Sequence, residues 1–219
     1  MEGFCKNAKG FSLVEVLVVM SLLLMVVTGG FVILSSGRSA WFTTDARVEL
    51  QQNLRQTMDK MTRELNQSGF DKDGTAQYAI GDGTGDHGTD TIKFSIPVIC
   101  HSTDNILDIN SDIAHWGAPL TWGCTSSQCM DEDDVCATVE YKFIQYSIDS
   151  SNRLVREVLN PGNGVVRSDL LAQGITDLQI TKSPDGSQLE LIITGQQSSA
   201  LKRVLTSSTI FEIYLRNRG

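Results

Sequence analysis

Hydrophobic positions in this chain form one long uninterrupted run, and shorter periodic patterns follow it. The run extends from Phe11 to Leu34, and sixteen of its residues are Leu, Val, Ile or Phe. As a helix it would be roughly 36 Å long, which is enough to cross a bilayer core of about 30 Å. The pattern therefore predicts a helix that spans a membrane.

Glu15 is the only charged residue in this run. Insertion is still favoured, because one acidic residue near the helix end costs less than the apolar residues contribute. The carboxylate is either tolerated near the membrane interface or paired with a cation from another chain. Lys6 and Lys9 precede the run, so the positive-inside rule places residues 1–10 in the cytoplasm and the rest outside. A cleaved secretory signal is the alternative, but its apolar region is usually shorter, about 7 to 15 residues.

A second helical pattern follows the run. Its apolar positions recur at spacings of four, four, three and four: Leu50, Leu54, Met58, Met61 and Leu65. They predict one apolar stripe on an amphipathic helix that ends near Gly69. The polar positions predict a solvated face: Arg47, Glu49, Gln52, Arg55, Asp59, Lys60, Arg63 and Glu64. A helix continuous from Phe11 would be roughly 88 Å long, and Gly29-Gly30 would allow it either to bend or to pack closely on another helix.

The segment from Phe70 to Gly88 is rich in Gly, Asp and Thr, and this composition predicts a loop between helix and sheet. Residues 83–88 match the letters of a dinucleotide-binding fingerprint, but the required order of strand, motif and helix is missing, which argues against a nucleotide site. Residues 71–74 resemble part of a calcium loop, although the glycine comes too early for an EF-hand. The weak candidates for calcium ligands are Asp71, Asp73, Asp82 and Asp86.

Alternating apolar positions begin at Thr91 and predict a series of strands. The predicted strands cover residues 91–96, 139–148, 153–159, 178–180, 189–193 and 210–215. Residues 149–152 and 183–186 have turn compositions and would close two hairpins, whereas residues 160–164 break the chain. One long helix followed by mainly antiparallel strands predicts an α+β domain in which the apolar stripe covers a sheet face.

The start of the chain carries a family resemblance. A short basic leader ending in Gly10, then Phe11-Ser12-Leu13-Val14-Glu15 and an unbroken apolar helix, resembles the type IV prepilins, a family that includes pilins and type II secretion pseudopilins. The resemblance implies that a prepilin peptidase and N-methyltransferase cleaves after Gly10 and methylates the amino group of Phe11. It also implies that Glu15 pairs with the terminal amine of a neighbouring subunit in a filament, where a low dielectric strengthens the pair.

Later residues extend this resemblance. Residues 64–70, residues 174–178, the following hairpin and a closing strand that ends at 215–218 resemble the PilW-type minor pilins and the J-type pseudopilins. Major pilins usually carry a proline in the anchor, and residues 11–34 contain none, which favours a minor subunit. The implied fold is pilin-like α+β, with a long N-terminal helix packed on a mainly antiparallel sheet.

The predicted organisation has four parts. Residues 1–10 are a leader peptide, residues 11–34 a transmembrane assembly helix, residues 35–69 its amphipathic continuation, and residues 70–219 an exported β-rich domain with an insertion at about 100–137. The implied function is that of a structural subunit that helps to initiate or cap a type IV pilus. A minor pseudopilin of a type II secretion system and a tip adhesin acting through the insertion are the alternatives. The implied partners are other pilins and the inner-membrane assembly platform.

The five cysteines lie in two different predicted compartments. Cys5 lies in the leader, and four belong to the exported domain: Cys100, Cys124, Cys129 and Cys136. Four thiols outside the cytoplasm are typical of two disulfides, for which three pairings are possible. We favour Cys100–Cys136 with Cys124–Cys129, because the first would close the base of the insertion. Zinc is the alternative, but the spacings contain no Cys-x-x-Cys pair.

Net charge and the lack of catalytic motifs reduce the number of function classes that fit the chain. The net charge is -8, and it becomes -9 without the leader, so bulk nucleic-acid binding, which needs a basic surface, is not expected. No Gly-x-Ser-x-Gly elbow, Walker loop or His-Glu-x-x-His sequence occurs. A non-enzymatic subunit is therefore predicted, with an unrecognised membrane-anchored enzyme as the alternative. No cofactor is expected, apart from the weak calcium candidates.

Overall fold

A single helix, α1, extends from Leu13 to Leu65 in the computed structural model, which describes residues 12–83, 89–98, 107, 111–113, 115–119, 142–200 and 202–216. Its 53 residues give a length of about 80 Å. Glu15 lies in the first turn and Arg63 in the last, where each charge interacts favourably with the helix dipole. The apolar run and the apolar stripe therefore belong to one continuous element, which we call the spine helix.

The stripe predicted on the second half of the spine helix is buried, as expected. Leu50, Leu54, Met58, Met61 and Leu65 all belong to the hydrophobic core. Most of the opposite face is exposed, but the prediction for Glu64 is wrong, because its side chain is only 3% exposed. Glu64 is buried because a distant arginine and a tyrosine bind its carboxylate, as described below.

Ten strands follow the helix in the described part of the chain. They are β1 (Tyr78–Gly81), β2 (Thr91–Phe94), β3 (Ile96–Pro97), β4 (Trp116–Gly117), β5 (Phe143–Ile148), β6 (Arg153–Leu159), β7 (Val165–Gln173), β8 (Ile175–Lys182), β9 (Gln188–Ser198) and β10 (Val204–Tyr214). They form an antiparallel five-stranded sheet in the order β1-β2-β5-β6-β7, a three-stranded sheet in the order β10-β9-β8, and the pair β3-β4. The predicted α+β class is confirmed.

The spine helix packs on the three-stranded sheet. At Gly195 of β9 an added Cβ would lie 3.0 Å from Cδ1 of Leu50 and 3.4 Å from Cδ2 of Leu54, so helix and strand approach closely there. Beside this contact, Nε2 of Gln197 donates to the Glu49 carboxylate at 2.7 Å. The two larger sheets are joined through Asp90, whose carboxylate accepts a hydrogen bond from the Ile180 amide at 2.6 Å.

Both predicted hairpins are present. Phe143 pairs with Leu159 at one end of β5-β6 and Ile148 with Leu154 at the other, around a turn in which Asn152 adopts a φ of 56°. The β8-β9 hairpin closes through the turn at 183–186, where the Gly186 amide donates to the Ser183 carbonyl at 2.9 Å.

Three predictions about strands need correction. The segment from Phe70 to Gly88 was predicted as a loop, but it contains β1. This short strand forms because its backbone pairs with β2, and it is one edge of the five-stranded sheet. β7 was not predicted; most of its residues are exposed, so it lacks the alternation of a half-buried strand. The last strand begins at Val204 rather than Ile210. Residues 204–209 include several polar side chains, but their backbone still pairs with β9.

Candidate assembly site

The first half of the spine helix projects from the folded domain as an exposed apolar rod. Every residue from Ser12 to Leu34, the segment we call the apolar rod, is exposed, including Leu13 at 78% and Leu34 at 70%. By length and composition, this is the one helix among the described residues that could cross a membrane. An apolar surface of this size marks a contact with lipid or with other protein chains.

Glu15 lies at the start of this rod, in the first helical turn. Its side chain is exposed, and no hydrogen bond or ion pair to it occurs among the described residues. The N-terminal turn favours an acidic side chain, because the unpaired backbone amides there carry partial positive charge. The geometry therefore leaves the carboxylate open to a partner from outside this part of the chain.

Several predicted site residues lie outside the described residues. These are Gly10 and Phe11 at the cleavage site, the four exported cysteines Cys100, Cys124, Cys129 and Cys136, and the calcium candidate Asp86. Cleavage, methylation, the disulfides and a binding role for the insertion at 100–137 therefore stay predictions.

The other calcium candidates are separated by their local contacts. The Asp71 carboxylate accepts hydrogen bonds from the Asp73 amide at 3.0 Å and the Thr75 amide at 2.8 Å, which close a tight turn. Asp73 and Asp82 are exposed. Among the described residues, no group of three or more His, Cys, Asp or Glu side chains is arranged to hold a metal ion.

A buried polar cluster formed by Glu64, Tyr146 and Arg156 connects the spine helix to the five-stranded sheet. Nε and Nη2 of Arg156 each lie 3.0–3.2 Å from oxygens of the Glu64 carboxylate. The Tyr146 hydroxyl donates to Oε2 of Glu64 at 2.8 Å. Asp169 on β7 lies opposite Arg156 in the sheet, and its carboxylate is 3.6 Å from Nη1.

The same arginine also binds a residue within the predicted insertion. Nη2 of Arg156 donates to the carbonyl oxygen of Pro119 at 2.9 Å. One guanidinium thus contacts the end of the helix, the sheet and the segment at 115–119. Because both bonds are buried and charge-assisted, they fix these parts relative to one another.

Burial governs the ionisation of this cluster. Desolvation raises the pKa of Glu64, and the hydrogen bonds and charge of Arg156 oppose that rise. Desolvation, the charge of Glu64 and the hydrogen bond to it raise the pKa of Tyr146 well above 10. The cluster was not predicted from the sequence, in which a glutamate next to a stripe residue was its only local signal.

Comparison with known proteins bears on the N-terminal region. Residues 5–31 match a family model described as the prokaryotic N-terminal methylation motif. Neither a search of curated proteins nor a search of solved structures gave a significant match. With the exposed apolar helix, this motif supports a type IV pilin-like or pseudopilin-like protein. It implies processing by a prepilin peptidase and assembly with other pilins in a membrane system.

Proposed function

We propose that this protein is a minor pilin, a structural and non-enzymatic subunit that helps to initiate or cap assembly of a type IV pilus. The observation that carries the proposal is the exposed apolar rod with a single carboxylate, Glu15, in its first turn. The second half of the same helix is packed on the folded domain, whereas the rod is not, so the rod can contact lipid or other subunits.

Before assembly, the rod spans the inner membrane. Residues 1–10 face the cytoplasm, where prepilin peptidase removes them and leaves Phe11 as a methylated N-terminus. The β-rich domain faces the periplasm, where the exported cysteines can form disulfides. Lys6 and Lys9 and the family motif at residues 5–31 support this topology.

During assembly, the Glu15 carboxylate pairs with the terminal amine of a neighbouring subunit. Both charges lie in an apolar environment, where each is costly alone and where their attraction is strong. Extraction of the helix from the bilayer is thereby coupled to binding of a neighbouring subunit. The absence of proline from residues 11–34 supports a minor role.

Replacement of Glu15 tests the proposal. Glu15→Ala should leave the protein in the membrane fraction but reduce its incorporation into filaments, because the charge pair between subunits is lost. Asp45→Ala, at an exposed acidic position on the same helix beyond the apolar run, is the matched control and should assemble normally. Filaments of normal number and composition in the Glu15→Ala strain would refute the proposed role.

Processing is tested separately. Gly10→Val should block cleavage and leave the precursor in the membrane. Mass spectrometry of the mature wild-type chain should find methylated Phe11 at its N-terminus. A mature chain that begins at another residue would show that the predicted cleavage site is wrong.

A minor pseudopilin of a type II secretion system is the second candidate, because the same anchor and carboxylate serve both machines. Deletion of the gene separates the two. Loss of surface pili with normal protein secretion supports a pilin, and loss of secretion with normal pili supports a pseudopilin.

A further inference from the structure

Basic and aromatic residues collect just beyond the apolar rod. Arg38 and Trp41 follow its last residue, Leu34, on the spine helix. At 1.5 Å per residue, their Cα atoms lie about 6 and 10 Å past Leu34 along the helix axis. Helical side chains lean toward the N-terminus, so the Trp41 ring covers the preceding turn and lies closer to the membrane than its own backbone.

The turn between β9 and β10 reaches the same level of the helix. An open groove of about 620 Å³ is lined by helix residues between Ser35 and Thr44 on one side and by Arg203 on the other. The turn has a defined shape, because the Ser199 amide donates to the Arg203 carbonyl at 2.9 Å and the Lys202 amide to the Ser199 carbonyl at 2.8 Å. Lys202 and Arg203 are therefore held beside the membrane end of the folded domain.

These cations have no counter-charge among the described residues. The side chains of Arg38, Lys202 and Arg203 are exposed and make no ion pair or hydrogen bond there, and Trp41 is 72% exposed. Residues 35–44 contain no Asp or Glu, although the chain as a whole has a net charge of -8. The positive charges are thus concentrated where an otherwise acidic protein meets the lipid surface.

We infer that Arg38, Trp41, Lys202 and Arg203 form a juxtamembrane collar that binds the headgroups of anionic phospholipids in the outer leaflet of the inner membrane. The inference rests on the proposed membrane-anchored function, and it adds a second contact between protein and membrane. Guanidinium and ammonium groups donate to lipid phosphates, and tryptophan favours the interface. The collar holds the β9-β10 end of the domain on the membrane, and this contact is released when the subunit enters a filament.

Photo-crosslinking of the full chain in lipid nanodiscs tests the collar. A p-benzoylphenylalanine residue replaces Ala200, which is exposed in the β9-β10 turn, or Pro184, which is exposed in the β8-β9 turn. The two turns flank the 11 residues of β9 and are roughly 36 Å apart. We expect lipid adducts from position 200 and not from position 184. The adducts should increase roughly threefold or more when phosphatidylglycerol replaces part of the phosphatidylcholine, because cations near an anionic surface are attracted to it.

Charge variants identify the groups responsible. Combined Arg38→Gln, Lys202→Gln and Arg203→Gln should reduce the adducts in anionic nanodiscs to the level in neutral ones, and so should salt at about 1 M, where charges are screened within about 3 Å. Lys182→Gln, an exposed cation near the opposite turn, is the matched control and should have no effect.

Each negative result has a separate meaning. If the protein floats with lipid vesicles but position 200 gives no lipid adduct, or gives equal yields in neutral and anionic lipid, the collar is refuted while membrane anchoring stands. If the mature protein does not float with vesicles at all, the membrane-anchored function is refuted as well.

Discussion

Arg156 and Glu64 join an interior strand of the five-stranded sheet to the last turn of the spine helix, although 92 residues separate them in sequence. The arginine is fully buried and the glutamate nearly so, and three donor–acceptor distances between them lie at 3.0–3.2 Å. The pair therefore sets how the helix meets the sheet. Since the helix carries the proposed assembly surface, this pair also positions the folded domain relative to the rod.

Removing one member of the pair should be costly. Arg156→Met leaves the Glu64 carboxylate buried without its cation, and we expect the free energy of unfolding to fall by about 3–5 kcal/mol. The measurement is urea unfolding of the full chain in detergent micelles, followed by tryptophan fluorescence. Arg153→Met is the matched control on the same strand, because Arg153 pairs with Asp149 in an exposed contact. Equal losses in the two variants would contradict the prediction.

Removing both members should cost less than removing one. In the variant with Glu64→Met and Arg156→Met, no buried charge is left unpaired, and apolar side chains of similar length fill part of the space. We expect this double variant to recover a substantial part of the stability lost by Arg156→Met alone. A double-mutant cycle with the two single variants measures the coupling. Additive losses would mean that the two side chains do not act together.

Tyr146 should make stability depend on alkaline pH. Its pKa is raised in the folded protein, chiefly by burial and then by Glu64, so the folded state keeps a proton that the unfolded state loses above about pH 10. This contribution to stability is complete below pH 10 and declines as the pH rises toward the folded pKa. Unfolding free energies measured between about pH 8 and 11 should therefore fall less steeply at high pH in Tyr146→Phe than in the wild type. Tyr214→Phe, at an exposed tyrosine, should retain the wild-type slope.

Sequence patterns predicted those parts of the fold that depend on local periodicity. The stripe from Leu50 to Leu65 and the two hairpins were correct, because alternation and turn composition are local properties. Glu64 was assigned to the solvated face because its partners, Tyr146 and Arg156, are brought to it only by the tertiary fold.

The strands β7 and β1 were missed for a related reason. β7 pairs along β6 with most of its side chains exposed, so backbone pairing rather than burial defines it. β1 has only four residues and lies between polar segments, and it is a strand because its backbone pairs with β2. At the candidate site, the apolar rod and Glu15 were predicted from sequence, whereas the approach of Arg203 to the helix depends on the length and direction of the β9-β10 hairpin.

Gly195 should be required for the contact between helix and sheet. A Cβ there would lie 3.0 Å from Leu50, 3.4 Å from Leu54 and 3.5 Å from the Gly174 carbonyl, so the packed side chains must move. We expect Gly195→Ala to lower the free energy of unfolding by about 1–3 kcal/mol through overpacking. Gly37→Ala, where nothing lies within 4 Å of the added Cβ, is the control and should not destabilise the domain. An unchanged midpoint for Gly195→Ala would show that the interface can relax around a methyl group.

Gly29 and Gly30 should matter for assembly and not for the isolated subunit. Both are helical, and an added Cβ at either position has nothing within 4 Å, so alanine fits without a clash. Alanine also favours the helix by up to about 1 kcal/mol per glycine replaced, and circular dichroism in micelles should show helicity equal to or above wild type. In a filament, however, small residues allow helices to approach closely and glycines allow a helix to bend, so the double alanine variant should incorporate less efficiently. Gly37→Ala, beyond the apolar run, should incorporate normally. Normal incorporation of the double variant would mean that assembly needs neither close packing nor bending at these glycines. Reduced helicity in micelles would mean that the glycines are already required for the structure of the isolated subunit's helix.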